Sequence, residues 1–430
     1  MARKVAAVRP PRRGSDALER ARIAAILLLG QGLGRGSQAI YSVIMVRELS
    51  KAGYGDMATV LASCGVLVAV GDLGFSRLII RDAARAHDRT MLAREMLRVR
   101  AGGVLVVVGL LALAGVAGAV PGGELLGLAG AFYLFAEGLS YGYEAAAAGV
   151  ERPSRFAAVQ GVGGVAVAVA AVAVLSHDHV TPAGAAFGLA SASAVKAVAH
   201  WALWRWRGAL GPSRRLRDLP VRQWLHDALP FLALMVPAAV YYRAGILILH
   251  LSRGSEETAP YAAAMRVFDG VVVLGGVVFA AVSPALSRMH RERPNDLWRV
   301  WRRMIAVFAC GVVPAAVTLM LVGEQFARVV FGPRYAVSAG DVLTALAPGM
   351  ALAILQQISA SVVFMSDDRR AVLRLTAFNV SMLFALLAVL TNTSGAHGAA
   401  VAMSAAELLS FTTFSLLVWL RHGRGVVAPA

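Results

Sequence analysis

Apolar residues run along the chain in about a dozen stretches of roughly 20, separated by short polar segments. Each is long enough to cross a hydrocarbon core of about 30 Å as an α-helix. The expected spans are Ala21 to Val46, Gly53 to Ile80, Ala101 to Val120, Glu124 to Ala148, Phe156 to Leu175 and Pro182 to Trp204. After a basic connection follow Ala228 to Leu251, Ala262 to Ser287, Met304 to Val322, Asp341 to Met365, Ala371 to Leu390 and Gly398 to Leu420. The pattern therefore predicts an all-α polytopic membrane protein of about twelve transmembrane helices, with both termini on one side. It divides into a basic segment 1–20, a six-helix lobe 21–204, a basic linker 205–227, a second six-helix lobe 228–420 and a tail 421–430.

Composition strengthens this picture. Hydrophobic residues make up 58% of the 430 and charged residues 16%, against about a quarter charged in soluble domains. The formal net charge of +17 would suit a nucleic-acid binder if it formed a surface patch. Here about 32 of the 42 basic residues fall in alternate connections and about 5 in the others. That is the asymmetry of cytoplasmic loops and termini, with anionic headgroups as their partner, and not of nucleic-acid recognition. The first apolar segment is too long for a cleaved signal and is expected to stay as a helix. Cys64 and Cys310 fall in apolar spans, so neither a disulfide framework nor a metal site is indicated.

The two halves repeat. Gly184-Ala185-Ala186 lies over Gly398-Ala399-Ala400 at an offset of 214 residues, and "GYGDMA" at the start of one span matches "APYAAA" at the start of another. Arg35 precedes Tyr54 much as Arg243 precedes Tyr261. Halves of like orientation imply a parallel duplication about an axis along the membrane normal, as in transporters that bind substrate between their halves.

Against this apolar background the charges inside spans stand out, because they are costly in hydrocarbon and mark pathways, relays or pairs. Arg35, Arg77, Lys196, Arg243 and Arg266 could line a cationic cavity, where guanidinium forks match phosphate oxygens. Arg77 lies near a span end and could equally snorkel to the interface. Asp269 follows Arg266 by three residues, the spacing of a same-face pair, as a bridge or a gate. Asp72 needs a partner from another helix or a wet cavity. Glu137 and Glu144, seven apart, share a helix face; with Tyr133, Tyr141 and Tyr143 they could form a polar stripe for sugar hydroxyls, act as packing groups, or couple transport to H+ or Na+. Glu407 has the same standing. "GQGLGRG" is read as close helix packing, and "SHDH" (Ser176 to His179) as a solvated turn.

The run "VRELSKAGYGDMATVLASCGVLVAVGDLGFSRLIIRDAAR" resembles the opening of the polysaccharide-export flippases of the multidrug/oligosaccharidyl-lipid/polysaccharide superfamily. Three further stretches agree in order: "PYAAAMRVFDGVVVLGGVVFAAVSPALSR", "VVFGPRYAVSAGDVLTALAP" and "GAHGAAVAMSAAELLS". The resemblance implies a flippase, not an enzyme. It would move a polyprenyl-diphosphate oligosaccharide across a bacterial cytoplasmic membrane by alternating access, with no cofactor. Glycan polymerases or glycosyltransferases would be its partners. The competing readings are a drug antiporter of the same superfamily, and a glycan polymerase or ligase with chemistry in the outer loop Gly323 to Gly340.

Overall fold

The computed structural model describes residues 15–83, 85–86, 88–150, 153–177, 179–205, 219–292, 294–364 and 369–423. The basic N-terminal segment up to 14, Asp178 of "SHDH", the centre of the basic linker (206–218), parts of the 151–152 and 365–368 connections and the tail from 424 lie outside these residues. The described chain forms twelve α-helices. In the first half they are α1 (Ser15–Glu48), α2 (Lys51–Gly71), α3 (Phe75–Ala83), α4 (Arg89–Val116), α5 (Glu124–Gly149), α6 (Pro153–Leu175) and α7 (Pro182–Arg205). In the second they are α8 (Val221–Arg253), α9 (Ser255–Glu292), α10 (Pro294–Phe331), α11 (Ala336–Phe364) and α12 (Arg369–Val418). Seven described helices are long and apolar enough to cross a membrane. The charge-bearing α5, α7 and α9 are not among these seven. The end of the bundle holding the α1–α2 and α8–α9 turns is termed distal, and the opposite end proximal.

The expected second span is two helices. Asp72, Leu73 (φ 51°) and Gly74 (φ 80°) interrupt it, and Asp72 caps the new helix by accepting from the Ser76 amide at 3.1 Å. Several expected loops are helical. Asp88 accepts from the Met91 amide at 2.9 Å and starts α4 well before Ala101, so the basic stretch 89–100 forms its first turns. Likewise α8 begins at Val221, ahead of Ala228. The supposed outer loop Gly323 to Gly340 is the end of α10, bent at Val322, followed by a 3-10 turn Pro333–Tyr335 and the start of α11. The last two expected spans are the arms of α12, broken at Ser394 and Gly395 (φ 55°).

Packing repeats between the halves. The pairings α1 on α6, α2 on α5, α4 on α5 and α5 on α7 recur as α8 on α12, α9 on α11, α10 on α11 and α11 on α12. Matched segments do the same job: Ala185, Ala186, Ala399 and Ala400 are fully buried, and the tyrosines of the other matched pair, Tyr54 and Tyr261, are buried as well. Small side chains at such contacts let helices approach where lipid offers no hydrophobic drive for association. The halves meet through α2 and α3 against α8, α2 against α9, and the distal end of α1 against α9 and α10. Gly74 makes the proximal contact tight, since a Cβ there would lie 2.8 Å from the Leu232 amide nitrogen.

Candidate functional site

At the joint between the halves, α8 and α9 bring two cations onto one acid. Arg243 Nη1 donates to Asp269 Oδ2 at 3.0 Å, and Arg266 Nη1 lies 3.9 Å from the same oxygen. The three side chains are 26%, 23% and 27% exposed. They are neither dry nor fully solvated. The first half supplies the facing wall. A Cβ on Gly65 of α2 would lie 3.6 Å from Arg243 Nε, and Tyr133 of α5 is an electrostatic neighbour of Arg243 and Arg266. Tyr54 of α2 neighbours Arg266. The two are close enough to interact, although the buried Tyr54 Oη and the guanidinium Nε miss good hydrogen-bond geometry. Two guanidiniums against one carboxylate leave a surplus of one positive charge with unused donors, a local preference for an anion.

Lys196 of α7 is placed differently. Its Nζ donates to Glu137 Oε1 at 2.9 Å and lies 3.8 Å from Glu144 Oε1. Ser193 donates to Glu137 at 3.0 Å and Gln160 of α6 to Glu144 at 2.6 Å. His200 Nε2 sits 3.8 Å from Glu144, with its ring stacked on Tyr143. Arg35 is exposed on α1 and is an electrostatic neighbour of Lys196. Two carboxylates around one buried ammonium make this knot acid-rich. Tyr133 and Glu137, one turn apart on α5, connect it to the arginine cluster. Arg77 is exposed on α3 beside Tyr141.

Asp72 lies apart from both clusters. It is fully buried and bridged to Arg100 of α4 at 2.5 Å. It also accepts from the Ser76 hydroxyl, and Arg100 donates onward to the Gly138 carbonyl at 2.7 Å. The partner from another helix exists, and the group it forms holds the α2–α3 break. Arg100 was missed because it stands among the basic residues of an expected loop. Its legible signal was the run "AREMLRVR", helix-favouring and lacking Gly or Pro. His200, Gln160 and Ser193 carried no such signal.

At the distal end each half caps the other. Arg47, ending α1, donates to the Val330 carbonyl at 2.9 Å and also to that of Val329, at the C-terminus of α10. In return Arg334 donates to the Leu49 carbonyl at 2.9 Å, at the end of α1. Cations suit the free carbonyls and negative pole of helix C-termini. Ser255 adds a hydrogen bond to Asp56 at 2.5 Å. A Cβ on Gly55 would overlap the Ser255 backbone. Elsewhere, a cavity of about 300 Å³ inside the second half is lined by Tyr241, Gln357, Asn379, Glu407 and Ser410. A groove of about 860 Å³ between α6 and α7 is almost wholly apolar and faces outward.

A family model described as Polysaccharide biosynthesis protein matches residues 21–290. None of the curated proteins matches the chain. Among solved structures the chain is similar to the lipid II flippase MurJ in an inward closed conformation. The identity is 11% and the TM-score 0.75, over 93% of this chain and 87% of that one. It is also similar to a multidrug resistance MATE family transporter of the MOP superfamily, inward-facing, at 15% identity and TM-score 0.66, over 94% of this chain and 100% of that one. A MOP superfamily transporter from Pyrococcus furiosus, described as having a binding pocket of reverse polarity, matches at 14% identity and TM-score 0.63, over 93% and 95%. At such identities the likeness carries the fold, which is that of this transporter superfamily.

Proposed function

The chain belongs to the polysaccharide biosynthesis protein family, and from that premise we propose that it is a flippase for a polyprenyl-diphosphate-linked oligosaccharide. Cargo passes from the inner to the outer leaflet of a bacterial cytoplasmic membrane, with the proximal end and both termini cytoplasmic. The protein acts as a transporter, not an enzyme. The observation that carries this reading is the arginine cluster of Arg243 and Arg266 on Asp269, cationic in sum and set between the two halves.

A diphosphate needs several donors in a fixed array, and two guanidinium forks with the Tyr54 hydroxyl provide one. Arg35 adds a cation on the first half, while its neighbour Lys196 is committed to Glu137 and Glu144. The reciprocal caps at the distal end hold that end shut, so cargo enters from the proximal side. Parting of the distal contacts, with the halves rocking on the α2–α8 seam, then exposes the cluster to the other leaflet. The apolar tail stays in lipid beside the bundle.

Arg243→Gln combined with Arg266→Gln is expected to cut surface glycan export at least about tenfold while the protein still inserts. Loss of one bidentate phosphate contact already costs on that scale. Undiminished export would refute the cationic site. A second reading, an antiporter of small cations or drugs, draws on the acid-rich knot around Lys196. It requires Glu137→Gln and Glu144→Gln to abolish drug efflux while the arginine pair leaves it intact.

A further inference from the structure

We infer that Asp269 is a built-in stand-in for the cargo's phosphate: its carboxylate occupies the guanidinium donors between loads and must be displaced by cargo. The inference rests on the flippase reading and adds the chemistry of release to it.

The geometry separates Asp269 from a simple structural bridge. The Asp72–Arg100 bridge is dry, at 0% and 1% exposure; its carboxylate also accepts from Ser76, and Arg100 goes on to Gly138, with Nη2 alone left without a partner. Asp269 is held by one good contact at 3.0 Å and one loose contact at 3.9 Å. It keeps 27% of its side chain exposed, and beside it Arg266 and Tyr54 lie within interaction range of one another without reaching good hydrogen-bond geometry. A single carboxylate thus half-satisfies an array with more donors than it can use. A diphosphate, with more acceptor oxygens and more charge, can take the same guanidiniums and the unused donors as well.

The consequence is a tuned affinity. Two bare guanidiniums in a partly desolvated cleft would hold a diphosphate too tightly to release it, and a leaving anion would strand two unpaired cations, which is costly. Asp269 offers both arginines a partner as soon as the phosphate leaves. It therefore weakens binding and lowers the energy of the empty carrier, which has to reorient without cargo. Asp269 also joins α8 to α9, the two helices of the second half that face α2, so exchanging its partner changes the contact that moves.

The test uses full-length protein in lipid nanodiscs, with inorganic diphosphate and farnesyl diphosphate as probes, and surface glycan export measured in cells. Asp269→Asn is expected to bind both probes about tenfold tighter than wild type, the scale set by removing one competing charge a few ångströms away. Its export falls, and Asp269→Glu restores both values. Asp269→Ser, smaller and neutral, behaves as Asp269→Asn does. Unchanged or weaker binding by the folded neutral variants overturns the inference, as does failure of both to fold, because a purely structural bridge predicts those results. The parent reading fails separately: wild type and Arg243→Gln would then bind diphosphate equally weakly.

Discussion

Asp72 and Asp269 show how the same residue type takes different roles through its neighbours. Asp72 meets a cation from a different helix within a dry hydrogen-bonded network. Removing one partner of such a buried pair leaves an uncompensated charge and costs about 3–5 kcal/mol, whereas replacing both by apolar groups is often neutral. Asp72→Asn and Arg100→Met should therefore each lower the thermal unfolding midpoint in detergent by several degrees, while Asp72→Leu with Arg100→Met recovers much of the loss. Equal loss in the double and single variants would argue against a self-contained pair. The charges themselves were legible along the chain, because they interrupt apolar spans. Their partners were not, because helix spacing reports only same-face neighbours three or four residues away, and Arg100 stands 28 residues from Asp72. Among the intramembrane charges singled out, Arg266 with Asp269 obeys local spacing, and even there the shorter contact comes from Arg243 on another helix.

Among the helices, apolar periodicity located each expected span but not its ends or breaks. Amphipathic first turns such as those of α4 and α8 read as polar loops, since a lipid-crossing criterion ignores helix that continues beyond the hydrocarbon. The α2–α3 break escaped because Asp72-Leu73-Gly74 sits inside an apolar run, and its positive φ values are fixed by Asp72, Ser76 and the approach of α8. The distal caps belong to this scale too, because Arg47 and Arg334 act on helix ends. Arg47→Ala with Arg334→Ala removes the cross-half donors to four terminal carbonyls. Spin labels at Glu48→Cys and Val337→Cys, both exposed positions, should then report longer distances across the distal end. An unchanged distance distribution would show that helix packing, not the arginines, keeps that end closed.

For the molecule as a whole, two similar halves meeting along one seam imply that transport is a change in their mutual angle. Joining the distal ends should then stop export without harming either half. Asp56→Cys with Ser255→Cys replaces a pair now in hydrogen-bond contact. In a Cys310→Ser background the disulfide is expected to abolish export and reductant to restore it; export by the oxidised form would exclude distal opening. Hydrophobic spacing, the charge alternation of the connections and the internal repeat determined on their own the helical class, the membrane, the duplication and the set of charged residues worth asking about. Each depends on local composition or on periodicity, which the chain carries residue by residue. Tertiary structure alone decided which charges meet: Lys196 held by two acids, Asp72 locked to Arg100, Arg243 and Arg266 sharing Asp269. The reason is that in a helical membrane protein every backbone hydrogen bond closes within its own segment, so sequence neighbours settle the helices. The rotation and depth of each helix against the others settle the site.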